Sequence, residues 1–259
     1  MNTPLDQAHA AMEAAPDDDA ARLRFYERMG DAELFLLLES EPDGDQVSPQ
    51  VFELEDASYV LAFDREERLS DFAEGTAPYV GLSGRVLAQM LAGQNLGLGL
   101  NLGVAPSSIL IPATAVDWLH ETLSHAPIDA ADTPTEITAP KGLPDSLITA
   151  IDTKLATAAG LAQCAYLAGV TYASGQRAHI LAFVGAEPAA EAALARAVNE
   201  ALVFSGIEAG ALDVAFFDSG HPVIGALDAH ALRFDLPQPI QPTARPAPGS
   251  DPSKPPKLV

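Results

Sequence analysis

Apolar positions along this chain switch between two spacings, and the switches mark its elements. The first segment has helical spacing: Asn2 or Thr3 can cap it, Pro4 suits its first turn, and Leu5, Ala8 and Met12 recur on one face. Pro16 interrupts it. Asp17, Asp18 and Asp19 then open a second helix, Ala20 to Met29, with carboxylates at the positive end of its dipole and Gly30 as its stop. ELFLLLE (33–39) predicts a buried strand, followed by a turn with Pro42 and Gly44. VFELE (51–55) and SYVLAFD (58–64) predict two strands close together. Residues 65–76 are polar and predict a loop or a single helical turn. APYVGL (77–82) then leads into a helix from Ser83 to Ala92, with Val86, Leu87, Met90 and Leu91 on one face and Gly93 beyond its end. Two strands follow at 96–104 and 107–111, and Pro112 opens a helix to about Ser124.

Pro127, Pro134 and Pro140 then mark a module boundary. The second rhythm comprises a helix over 144–158, strands at 162–172 and 179–185 joined around Ser174 and Gly175, and a long helix opened by Pro188. A strand at 212–218 and a helical turn near 222–229 close it. From Pro237 onward eight of 23 residues are proline without apolar periodicity, which predicts an extended or disordered tail. The organisation read here is a first domain over 1–125, a linker over 126–133, a second domain over 134–236 and the tail over 237–259. Strands adjoin in pairs instead of alternating strictly with helices. The expected fold is therefore α+β: two modules, each a mixed, largely antiparallel sheet with helices packed against it.

Charge narrows the function classes. Acids outnumber bases 36 to 14, for a formal net charge of −22. Nucleic acids and anionic membranes are bound largely through Lys and Arg, so neither is an expected partner. One cysteine, Cys164, forms no intramolecular disulfide and no thiolate zinc site. The N-terminus lacks a basic region followed by an apolar one, and no apolar run reaches the roughly 20 residues that span a bilayer. A cytoplasmic protein is expected.

Several stretches resemble reactive motifs and depart from them. Gly97, Gly99 and Gly103 alternate with leucines and do not open a helix, so they predict close packing in a strand and not a phosphate cradle. In Gly81-Leu82-Ser83-Gly84-Arg85 the second glycine of a nucleophile elbow is replaced by Arg85, and Ser83 is better placed as a helix cap. His120 and His125 stand five apart and not four, on different faces of a helix, so no metal is expected there. Cys164, within an apolar strand, is expected to be a buried structural thiol. The stretch Asp218-Ser219-Gly220-His221-Pro222 places an acid, a hydroxyl and an imidazole just past a strand end. Asp218, Ser219 and His221, with Arg233, are the candidate ligand-binding residues, although Asp-Ser-Gly is also ordinary turn chemistry.

TPLDQAHAAMEAAPDDDAARLRFYERMGDAELFLLLE resembles the opening of the SseB family of bacterial proteins. SPQVFELEDASYVLAFDREERLSDFAEGTAPYVGLSGRVLAQML and GLGLNLGVAPSSILIPATAVDWL are similar to the rest of that family's N-terminal domain, and TEITAPKGLPDSLITAIDTKLATAAGLAQCAYLAGV to the start of its C-terminal domain. The resemblance implies architecture over about residues 3–236 and carries over no catalytic residue. The family name refers to enhanced serine sensitivity, a phenotype and not a reaction. The expected function is therefore a non-enzymatic interaction or regulatory protein whose partner is an unidentified protein or a second copy of the chain as a homodimer, with no catalytic residue, cofactor or metal. The alternative is a small-molecule sensor or enzyme at the Asp218–His221 turn, linked to amino-acid metabolism.

Overall fold

The computed structural model describes residues 2–42, 47–54, 57–124, 134–206 and 212–238. Its helices lie against two separate mixed sheets, the α+β arrangement that paired strands predict. The first module begins with α1 (Pro4–Ala14), α2 (Asp19–Asp31), β1 (Glu33–Leu37), β2 (Val51–Glu53), β3 (Ser58–Phe63) and α3 (Glu66–Phe72). β4 (Tyr79–Ser83), α4 (Gly84–Leu91), β5 (Leu96–Leu100), β6 (Ile109–Ile111) and α5 (Ala113–Ser124) complete it. The strand order is β4-β1-β3-β5-β6, with β2 also paired to β3. Only β3 and β5 run parallel.

Side chains alternate across this sheet as strand geometry requires. Leu34, Leu36, Val60, Ala62, Leu98 and Leu100 face a core shared with Phe25 and Met29 of α2, Leu87 and Leu91 of α4, and Leu119 of α5. The opposite residues Leu37, Leu61 and Phe63 meet Leu69 and Phe72 of α3.

The second module contains β7 (Pro134–Thr138), α6 (Asp145–Ala156), β8 (Cys164–Tyr172), β9 (Arg177–Val184) and a 3-10 turn (Pro188–Ala190). Then follow α7 (Glu191–Phe204), β10 (Leu212–Phe217), α8 (Ile224–His230) and β11 (Leu232–Asp235). β8 and β9 form the expected antiparallel hairpin, and α7 carries the chain from β9 to a parallel β10. β11 and β7 pair with successive lengths of β8. Helices α6 and α7 cover one face through Leu147, Ile151, Leu194 and Val198, and α8 covers part of the other through Leu227.

Five elements differ from the sequence reading. Residues 66–72 form a seven-residue helix, α3, longer than the loop or single helical turn that their polarity predicts. β4, β7 and β11 are strands where the spacing gave none. α2 continues through Gly30 to Asp31, because Gly30 is a packing site: a Cβ there would stand 3.3 Å from Leu123. The caps behave as expected. Thr3 and Asp6 form a reciprocal capping box on α1, and Asp18 accepts the Ala20 amide at the start of α2. Cys164 is buried. The 126–133 linker, His125 and all of the tail beyond Gln238 lie outside the described residues. Among the described residues no helix is long and apolar enough to cross a membrane.

Candidate functional site

The two sheets are joined by helix packing, and that junction creates the site. Phe204, at the end of α7, is 1% exposed and belongs to the first module's core. Its ring meets Trp118 of α5 edge to face at 6.2 Å, and Trp118 meets Tyr26 of α2 in the same way at 5.4 Å. Such contacts add to the free energy of simple burial.

Beside this apolar plug lies a cluster of five charges. Lys154, on α6 and 8% exposed, places its Nζ 2.6 Å from Asp31 Oδ2, 3.2 Å from Glu200 Oε2 and 3.6 Å from Glu27 Oε1. Arg85 of α4 donates to both oxygens of Glu200, at 2.5 and 3.0 Å, and reaches Asp31 at 3.4 Å. Burial alone would lower the Lys154 ammonium, but Asp31, Glu200 and Glu27 together hold its pKa above the usual value. Burial likewise opposes ionisation of Glu200, yet the Arg85 hydrogen bonds and the Lys154 charge keep its carboxyl below the usual range. Glu27 goes the other way: burial, reinforced by the Asp31 charge, pushes its carboxyl up.

Next to this cluster opens a cleft of about 1080 Å³ walled by both modules. The first module supplies the start of α1, Arg28 and Asp31 of α2, Arg65 ahead of α3, Arg85 of α4 and His120 of α5. The second supplies Thr153, Lys154 and Thr157 around the end of α6, and Arg196, Ala197 and Glu200 of α7. Five of the chain's 14 basic residues thus line one cleft, against four of its 36 acids: Asp31, Glu33, Asp64 and Glu200. In a chain of this acidity that local excess is the feature that stands out.

The wall at α1 is tied together by side-chain hydrogen bonds. Arg68 donates to both oxygens of Asp6, at 3.0 and 2.6 Å, and to Asp64 at 2.7 Å. Thr3 Oγ1 donates to Asp64, Ser107 Oγ donates to Asp6, and Asn101 Nδ2 donates to Ser107. Asn101 takes a left-handed backbone with φ 51° to reach this position, and its Oδ1 accepts the Asp64 amide. Asp64 is therefore satisfied from behind the wall. Its neighbour Arg65 is not: Arg65 Nε is closed off from solvent with no hydrogen-bond partner. An unmet buried donor costs about 1–3 kcal/mol.

The sequence-derived candidates lie elsewhere. Asp218, Ser219 and His221 share one exposed turn after β10, closed by the His221 amide donating to the Asp218 carbonyl. The His221 ring rests on Phe217 with centroids 4.8 Å apart, and Ser219 donates to Gln163 at 3.2 Å. Arg233, on β11, turns instead to Asp235 at 2.8 Å and to the Tyr166 hydroxyl at 3.2 Å. Tyr166 donates in turn to Asp228, and that bond, with burial, pushes its phenol up to about 12. None of the four candidates lines the intermodule cleft. Among the described residues no group of three His, Cys, Asp or Glu side chains is placed to hold a metal ion.

The motif-like stretches resolve into packing. Ser83 accepts the Val86 amide as the cap of α4. A Cβ on Gly84 would stand 1.8 Å from the Met29 carbonyl oxygen, so this glycine lets α4 press on α2. Arg85 is thereby delivered to Glu200. Gly97 and Gly99 lie under the Tyr59 ring and under Leu61 and Leu102, the close approach that their alternation predicts. Burial pushes the Cys164 thiol up, away from reactivity.

Compared with known protein families, residues 5–118 match the SseB protein N-terminal domain. The first module is thus an SseB N-terminal domain. No match was found among curated proteins or among solved structures. The SseB domain ends at Trp118, the residue on which Phe204 packs, and the second sheet lies beyond the match. One wall of the cleft, with Arg28, Arg65 and Arg85, is therefore SseB domain, while Lys154 and Arg196 come from outside the matched region.

Proposed function

We propose that this chain is a regulatory binding protein of the SseB family whose intermodule cleft receives a small ligand and so sets the relation between its two modules. The observation that carries this reading is the cleft itself: its volume is on the scale of small-molecule sites, and both modules contribute its walls. A ligand touching both walls favours the arrangement that brings them together, by as much as its affinity differs between arrangements. The protein-partner role expected from the sequence fits a surface that responds to such a change. Cytoplasmic location, a second module of SseB C-terminal type and homodimerisation belong to the same reading.

Thermal shift against a metabolite panel tests it, with serine and other amino acids, organic acids, nucleotides, sugars and polyamines as members. Ala193, exposed on α7 in the cleft wall, provides the control: Ala193→Trp fills the space. A member that stabilises the natural chain and not the filled variant supports the reading. A panel without effect overturns it. Stabilisation retained in Ala193→Trp and lost in His221→Ala moves the ligand to the Asp218–His221 turn with Arg233.

A further inference from the structure

Resting on the cleft as the ligand site, we propose that its ligand is a small anion carrying at least two negative charges, gripped by Arg28, Arg65 and Arg196 from both modules. The argument is a charge account of the walls. Glu200 is taken by Arg85 and Lys154, Asp31 by Lys154 and Arg85, and Asp64 by Arg68 and the Thr3 hydroxyl. Three of the four wall carboxylates are therefore already held by cations of the protein, and Arg85 and Lys154 are engaged in holding them.

What remains is unequal. Arg28, Arg65 and Arg196 make no ion pair among the described residues, and the one remaining carboxylate is Glu33. The wall as a whole carries five cations against four carboxylates in a chain whose net charge is −22, and the three arginines that no protein carboxylate holds face only Glu33. A surface selected only for acidity would not gather its guanidiniums in a concavity. Arg65 adds a second, independent sign, since its Nε is buried without a partner. Guanidinium groups present paired donors that match carboxylate and phosphate oxygens. The reduced dielectric of a cleft strengthens each such contact. Arg28 and Arg65 stand on the SseB-domain wall and Arg196 on α7, so a multiply charged anion bridges the modules where a monoanion would not.

Isothermal titration of the full chain at constant ionic strength tests this, with orthophosphate and citrate as the two anionic probes and serine and spermidine as the contrasting ones. The expected result is saturable binding of orthophosphate or citrate, weakened at least ten-fold by Arg65→Gln and by Arg196→Gln and unchanged by Arg177→Gln on the exposed start of β9. Preference between the two anions tells phosphate chemistry from polycarboxylate chemistry. Anion binding that survives both cleft variants overturns the proposal. Serine or spermidine binding that Ala193→Trp abolishes, with no anion bound, overturns the ligand class and leaves the cleft as a site. No binding of any probe overturns the anion proposal, and the wider metabolite panel then decides whether the cleft reading falls with it.

Discussion

Lys154 of the second module places its ammonium 2.6 Å from the carboxylate of Asp31 in the first. This contact is the centre of a junction in which two cations hold three carboxylates, with Lys154, Glu27 and Glu200 buried and Arg85 and Asp31 part-exposed. A buried ion pair contributes little net stability compared with well-packed apolar groups, but removing one partner leaves the other charges desolvated and unmatched. Lys154→Met is therefore expected to cost about 3 kcal/mol or more, read as a lower urea midpoint. Arg85 remains on Glu200 in that variant, so the loss falls on Glu27 and Asp31. A midpoint unchanged from the natural chain would mean that water already solvates this cluster.

Acid stability gives a second prediction, with its sign fixed by Asp6. Burial alone would raise this carboxyl, but hydrogen bonds from Arg68, Ser107 and the Thr3 amide, with the Arg68 charge, hold it well below its ordinary 3.8. The unfolded chain then binds the proton more readily than the folded one, so the stability Asp6 contributes is present above 3.8 and is lost as the pH falls below it. Asp6→Asn should flatten the acid limb of a stability–pH curve while lowering stability at neutral pH. Glu27 acts in the opposite sense. Its raised carboxyl takes up a proton more readily when folded, so the folded state gains from that uptake as the pH falls. Glu27→Gln should steepen the acid limb. Urea midpoints measured from pH 7 to pH 3 separate the two slopes.

Where periodicity was strong, the sequence was legible: α1, α4, α5 and α7 show their apolar faces, and the two hairpins show paired runs. The strands it missed share a physical cause. β4 buries none of its five residues fully, β7 lies among prolines on a sheet edge, and β11 has four residues of which only Phe234 is buried. Such strands are made by their partners and carry little pattern of their own. The cleft was illegible for a different reason. Its residues run from Thr3 to Glu200, mostly on seven helices or their caps, and no window of sequence brings Arg65 near Arg196. The Asp218–His221 turn drew attention because its groups are contiguous, whereas burial and unmet hydrogen bonds appear only in three dimensions.

Two glycines three residues apart offer a sharp contrast. At Gly84 a Cβ would overlap the backbone of Met29 at 1.8 Å, and backbone inside a packed helix pair cannot yield. At Gly81 its nearest neighbours would be Glu33 and Phe35 side-chain atoms at 3.6 Å, which is ordinary contact. Gly84→Ala is expected to lower stability by several kcal/mol through displacement of α4, and Gly81→Ala by less than about 1 kcal/mol. Thermal melts of the two variants decide it, and similar losses would place the strain outside the α2–α4 contact.

The plug at Phe204 provides the last prediction, because the chain's single tryptophan reports on it. Trp118 sits between Tyr26 and Phe204, at the seam of the two modules. Removing a fully buried phenylalanine costs about 3–5 kcal/mol where the cavity does not collapse. Here the cavity would open between modules, so part of that cost should appear as weakened docking and not as global unfolding. Phe204→Ala is thus expected to red-shift and quench Trp118 emission before the far-ultraviolet circular dichroism changes in a urea titration. Coincident transitions by both probes would mean that the two modules unfold as one cooperative unit, with the seam no weaker than either core.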